Sequence, residues 1–114
     1  MASSLTSTDR VLIGRLDGLK MGHLYRVEVG SLSVVVVRIG EIVYALQDRC
    51  SHQNVPLSEG DVWEGDMEIE CRRHGSTFSL LTGEAQNLPA TQPVPVYAVE
   101  VEDGAVYLEL EPVR

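Results

Sequence analysis

The chain has little cysteine and little histidine, with two of the first and three of the second among its 114 residues. Two cysteines permit at most one disulfide, so no disulfide framework holds this fold together. Long apolar runs are missing as well. The longest block, Val34 to Val37, is strand length, far short of the ~20 residues that a membrane span requires. The start, Met1 to Asp9, is polar and small, with neither a basic n-region nor an apolar h-region, which argues against a secretory signal. The expected location is therefore the cytoplasm, where thiols stay reduced and available to metal. Basic residues are outnumbered, nine against seventeen acidic ones, for a net charge of −8. That balance excludes nucleic acid and anionic membrane surfaces as natural partners. It suits solubility, and equally an acidic carrier that docks on a basic partner. No segment keeps a helical period beyond ten residues, and there is no internal repeat, low-complexity tract or linker. What remains is one domain, large enough to bury well over half of its unfolded surface in a modest core.

The apolar residues come in short runs rich in Val, Ile, Tyr and Leu, cut at short intervals by Gly, Pro, Asn and Asp. That pattern predicts an all-β domain, a small antiparallel β-sandwich or barrel. Strands are expected at Val11 to Arg15, Leu24 to Val29, Ser33 to Ile39 and Ile42 to Gln47, then at Met67 to Cys71 and Phe78 to Leu81. Ser33 to Ile39 is the most apolar and is expected at the centre of a sheet. Val55 to Gly60 reads as loop, Trp63 to Asp66 as a turn, and Asn87 to Pro93 as a proline-punctuated loop. Val96 to Glu102 and Ala105 to Leu110 flank Asp103-Gly104, a dipeptide suited to a type I′ hairpin turn, where both central residues need positive φ.

The scarce residues are not scattered. Both cysteines and two of the histidines fall in Cys50-Ser51-His52 and Cys71-Arg72-Arg73-His74, with 18 residues between the two stretches. Thiolates suit iron–sulfur clusters and zinc, and neutral imidazole suits zinc, copper and iron. Two of each leave a tetrahedral zinc site or a two-iron cluster with both cysteines on one iron and both histidines on the other. Zinc fingers usually group their cysteines and then their histidines. Here each stretch carries one of each, an order to which a tetrahedral zinc is indifferent and which a cluster clamped from two sides requires. His23 lies away from both stretches and reads as a surface or strand-edge histidine.

These residues resemble the Rieske iron–sulfur domain. The resemblance rests on Cys50-x-His52, Leu57-Ser58-Glu59-Gly60 and Cys71-x-x-His74-Gly75-Ser76, with Phe78, Thr82-Gly83 and Leu88-Pro89-Ala90 behind them. It covers residues 9 to 110, and sets residues 1–8 apart as a flexible N-terminus before a domain at 9–112. Its nearest branch is the small soluble ferredoxins that serve bacterial ring-hydroxylating dioxygenases. It implies one [2Fe–2S] cluster per chain, with Cys50 and Cys71 on the buried iron, His52 and His74 on the outer one, and the loop around Pro89 as a cover. It implies a one-electron carrier, a monomer, passing electrons from a flavin-dependent ferredoxin reductase to a terminal oxygenase or other redox protein. The alternatives are an accessory iron–sulfur protein linked to cluster assembly, and a zinc-bound interaction module. Catalysis by the chain alone is not expected, because only His23 is left to build a mononuclear iron site of two histidines and a carboxylate.

The departures from the family pattern bear on the potential. High-potential relatives carry two further cysteines and donate hydrogen bonds to sulfur from a serine and a tyrosine. This chain has no spare cysteine, and its matching positions are Ser76 and Phe78. Fewer donors leave more electron density on sulfur, which places the expected potential low in the Rieske range, roughly −150 mV. Backbone amides near Gly75 and Ser76 are expected to donate to the sulfurs. Arg72 and Arg73 are expected either to form a basic tip beside His74 or to point to solvent.

Overall fold

A computed structural model describes residues 10–51, 54–73 and 75–113. Nine strands occur among them: β1 (Arg10–Arg15), β2 (Leu24–Val29), β3 (Leu32–Ile39), β4 (Ile42–Gln47), β5 (Asp61–Trp63), β6 (Glu68–Glu70), β7 (Thr77–Ser79), β8 (Val96–Glu102) and β9 (Ala105–Pro112). Two single 3₁₀ turns, η1 (Leu16–Gly18) and η2 (Leu57–Glu59), are the only helical pieces in the described residues. The all-β expectation therefore holds, and among the described residues no helix is long and apolar enough to cross a membrane.

Six strands form one antiparallel sheet in the order β1-β9-β8-β4-β3-β2, and three form a second in the order β5-β6-β7. β3 explains its own composition. Val34, Val35, Val36 and Val37 are all fully buried, because side chains alternate between the two faces of a strand and both faces are covered. Val35 and Val37 join a core with Leu46, Leu57, Ile69, Phe78 and Leu80, between the large sheet, the small sheet and the loops. Val34 and Val36 face a second core with Ala45, Tyr97, Val106 and Leu108. Side chains from β1 and β2, the two edges of the large sheet, both pack on that second core, so the sheet curls towards a barrel. Arg38 ties the curl by donating to the carbonyls of Leu16 and Leu19 at 3.0 and 3.2 Å.

The last hairpin closes as its sequence requires. Asp103 and Gly104 have φ of 51° and 81°, and Glu102 pairs with Ala105. The small sheet carries a strand absent from the expected ones, which ends on Trp63, a residue expected in the turn. β5 pairs Asp61, Val62 and Trp63 with Glu70, Ile69 and Glu68. Its turn follows at residues 64–67, close to where Trp63 to Asp66 was expected to bend.

Candidate metal centre

Cys50 leaves the end of β4, and Cys71 leaves the end of β6, so each scarce cysteine sits where a strand runs out into a loop. The two loops close in the same way. The amide of Cys50 donates to the carbonyl of Val55 at 2.8 Å, and the amide of Cys71 donates to that of Ser76 at 2.8 Å. In both, the cysteine reaches the residue five positions on. Cys50 is 2% exposed and Cys71 is fully buried, and both belong to the same core cluster. His52 and His74, the other two expected ligands, lie outside the described residues.

A third loop, between β7 and β8, binds these two together. Ser51 Oγ donates to the Gln92 carbonyl at 2.5 Å. The Ala90 amide donates to Ser76 Oγ at 3.1 Å, and Ser76 is fully buried. Asn87 holds the second loop from outside, accepting from the Thr77 amide at 2.7 Å and donating to the Gly75 carbonyl at 3.3 Å. The far end of the third loop is seated on Gly83. A Cβ there would stand 2.0 Å from the Val94 carbonyl oxygen, and φ is +77°, so glycine alone fits. The loop around Pro89 thus covers the region where both cysteine loops converge.

The first loop has a buried anchor that the sequence reading passed over. The side chain of Asp48, two residues before Cys50, has no exposed area. Its Oδ1 accepts the Ser58 amide at 2.7 Å, and its Oδ2 accepts the Ser58 hydroxyl at 2.6 Å and Arg26 Nη1 at 3.2 Å. Arg26 also donates to Glu28 Oε2 at 2.9 Å. That bond first, and the Asp48 charge after it, hold the guanidinium above its ordinary range. Asp48 therefore joins the beginning of the loop to its end at η2. The available signal was an acidic residue at a strand end, followed by the Ser of Leu57-Ser58-Glu59-Gly60.

Gly60 then lets the first loop press on the second. A Cβ at this position would lie 1.8 Å from the Glu70 carbonyl oxygen and 3.3 Å from the Arg72 amide nitrogen. Across the same junction Arg72 Nε donates to Glu59 Oε1 at 2.9 Å, and both side chains are about half exposed. So Arg72, expected at a basic tip or in solvent, has a carboxylate partner, and Arg73 is exposed. The Gly75 amide donates to the Cys71 carbonyl at 3.0 Å, which closes the turn. Phe78 is fully buried in the core and offers no hydroxyl. Trp63 is half exposed and donates to Glu70 Oε1 at 2.6 Å, a tie within the small sheet.

Two buried thiols in matching loops suit one side of a two-sulfur, two-nitrogen donor set, and the covering loop excludes water from that side. The comparisons with known proteins agree with this geometry. The model of the Rieske [2Fe-2S] domain matches residues 9–98. The 3-phenylpropionate/cinnamic acid dioxygenase ferredoxin subunit of Escherichia coli (strain K12) is 39% identical over 89 residues, covering 78% of this chain and 82% of that relative. The ferredoxin of carbazole 1,9a-dioxygenase from Nocardioides aromaticivorans IC177 superposes with a TM-score of 0.88 at 35% identity, covering 92% of this chain and all of that one. A ferredoxin seen in complex with the oxygenase of carbazole 1,9a-dioxygenase has a TM-score of 0.86 at 33% identity, over 95% of this chain and 99% of that one. The chain belongs to the Rieske [2Fe-2S] domain family. It is a ferredoxin-type electron carrier with one [2Fe–2S] cluster, and neither the zinc module nor the cluster-assembly role is favoured.

Proposed function

We propose that the cluster is held by Cys50, His52, Cys71 and His74 within a domain at residues 9–112. Through it the chain passes single electrons from a flavin-dependent reductase to the terminal oxygenase of a dioxygenase system. One observation carries this reading: Cys50 and Cys71, far apart in sequence, are buried in one core cluster on loops with the same hydrogen-bonded closure. When bound, the cluster takes up and gives back one electron. The chain's own residues do the rest. The two thiolates of Cys50 and Cys71 would hold the cluster from the buried side, and the imidazoles of His52 and His74 would complete its ligand set. Ser76, Ala90 and Asn87 fix the second loop, Asp48 and Ser58 fix the first, and the Pro89 loop keeps water from the thiolate side. The named assembly of a structural relative with its oxygenase supports the oxygenase as the electron acceptor. A monomer working in the cytoplasm belongs to the same reading.

The test is purification without oxygen, followed by iron and sulfide analysis and low-temperature EPR of the dithionite-reduced protein. Two irons and two sulfides per chain, with the signal of a cluster ligated by nitrogen on one iron, are expected. Cys50→Ser and Cys71→Ser each abolish the signal. The reduction potential falls at alkaline pH, as the imidazole ligands of the oxidised form lose protons. A colourless, EPR-silent protein carrying zinc overturns the reading.

A further inference from the structure

The loops that hold and cover the cysteines carry no acidic residue of their own. Of the carboxylates flanking them, Asp48 is buried and Glu59 pairs with Arg72. Glu70 accepts from Trp63, with its other oxygen 3.4 Å from where a Cβ at Gly75 would stand. The loops 49–58, 71–76 and 86–95 contain Arg49, Arg72 and Arg73 and no Asp or Glu, while all seventeen acidic residues lie elsewhere. These are the three loops that the Ser51–Gln92 and Ser76–Ala90 hydrogen bonds draw together. Arg72 is neutralised by Glu59. Arg49 and Arg73 are exposed, and among the described residues neither forms an ion pair. Arg49 immediately precedes Cys50, and Arg73 lies between Cys71 and His74. At the same end Leu88 is 76% exposed, the most exposed of the large apolar side chains described, between Asn87 and Ala90, which are tied to the second loop.

We infer that the electron-transfer face is cationic with an apolar spot, and that it docks on a redox protein presenting carboxylates around an apolar contact. This reverses the expectation from net charge, under which an acidic carrier seeks a basic partner. The inference rests on the proposed function, since it takes the cysteine end as the place where electrons leave. Oriented docking responds to the field at the contact face more than to total charge, because salt screens charges beyond about 8–10 Å. Five of the acidic residues, Glu100, Glu102, Asp103, Glu109 and Glu111, lie on β8 and β9 or the hairpin between them, away from these loops in sequence.

The dithionite-reduced holoprotein, freed of excess reductant, tests this in a stopped-flow instrument with two outer-sphere oxidants, the anionic chelate Co(EDTA)⁻ and hexaamminecobalt(III). In each case one electron moves from the cluster to cobalt(III), giving cobalt(II), and no bond to the protein forms. The Co(EDTA)⁻ rate is expected to fall as ionic strength rises and the hexaammine rate to climb. Arg73→Glu slows the anionic oxidant by about tenfold at low salt. Arg15→Glu, at the Asp103–Gly104 hairpin, makes the same change in net charge and moves the rate by less than about twofold. Poly-L-glutamate, a carboxylate-bearing macromolecule, slows the anionic oxidant for the wild type and not for Arg73→Glu. A Co(EDTA)⁻ rate that rises with salt, or equal effects of the two substitutions, overturns the cationic face while leaving the carrier function intact. A protein that dithionite cannot reduce overturns the proposed function instead.

Discussion

Ser58 gives both its amide and its hydroxyl to Asp48, one to each carboxylate oxygen, at 2.7 and 2.6 Å. The carboxylate is buried, and nine residues of chain, including Cys50, loop between the two partners. Removing it takes the acceptor from the part-buried amide and hydroxyl of Ser58 and from Arg26 Nη1. Asp48→Ala is therefore expected to cost about 3 kcal/mol. Ser58→Ala keeps the amide bond and loses one hydroxyl, at about 1 kcal/mol. Urea denaturation of the holoprotein measures both. A double-mutant cycle should show the two losses to be far from additive, since the residues share one network. Release of iron to a chelator should accelerate in the same order, because the pair sets the span of the first loop.

Gly60 gives a sharper test of how the two cysteine loops meet. Its Cα faces the Glu70 carbonyl so closely that a methyl group would overlap the oxygen, with 1.8 Å between them. The obstacle is backbone, in the strand that delivers Cys71, and cannot swing aside as a flexible side chain would. Gly60→Ala must push the loops apart, and a loss of more than about 3 kcal/mol is expected. The purified variant should show less visible absorption per chain than wild type. Gly18→Ala is the control, since nothing lies within 4 Å of a Cβ built there. Equal cluster content in the two variants would show that the loop junction gives way more easily than its geometry implies.

The Arg72–Glu59 pair spans the same junction but is expected to matter little for stability. Both side chains are about half exposed, at 57% and 51%, so solvent screens their attraction. Arg72→Ala should cost no more than about 0.5 kcal/mol, and less in high salt. Glu59→Gln has a different consequence, because it frees the Arg72 guanidinium at the electron-transfer face. Its rate with Co(EDTA)⁻ should exceed the wild-type rate at low ionic strength, and denaturation midpoints should barely separate the two proteins.

These contrasts show what was legible in the sequence and what was not. The cysteine stretches, the Asp103–Gly104 hairpin and the doubly buried β3 were readable because each depends on neighbours in the chain. A turn needs two residues of positive φ, and a central strand needs an unbroken apolar run. β5 was not readable: three residues with one half-buried valine form a strand only because β6 is beside them. Asp48 resembles a solvated loop residue until Ser58 and Arg26 come round to it. Gly60 resembles a turn glycine, and its requirement arises from the approach of Glu70. Arg72 and Arg73 look alike in the chain, and only the position of Glu59 separates them.

Tyr97 supplies a test at alkaline pH. It is 7% exposed, beside Val34, Val36 and Leu108 in the second core, and burial raises its phenol above the usual value by disfavouring the charged form. The unfolded chain releases this proton near pH 10, and the folded chain holds it to higher pH. Between those values the folded state binds more protons than the unfolded one, so stability falls as pH rises. The full contribution is present below about pH 10 and is lost as pH climbs through the folded value. Tyr97→Phe cannot ionise and should escape that loss. Urea denaturation from pH 8 to 11.5 should give a constant difference between the proteins up to about pH 9.5, after which the difference shifts steadily in favour of the variant. A difference that stays constant over the whole range would mean that Tyr97 ionises as readily in the fold as outside it, and that the second core admits water at β8.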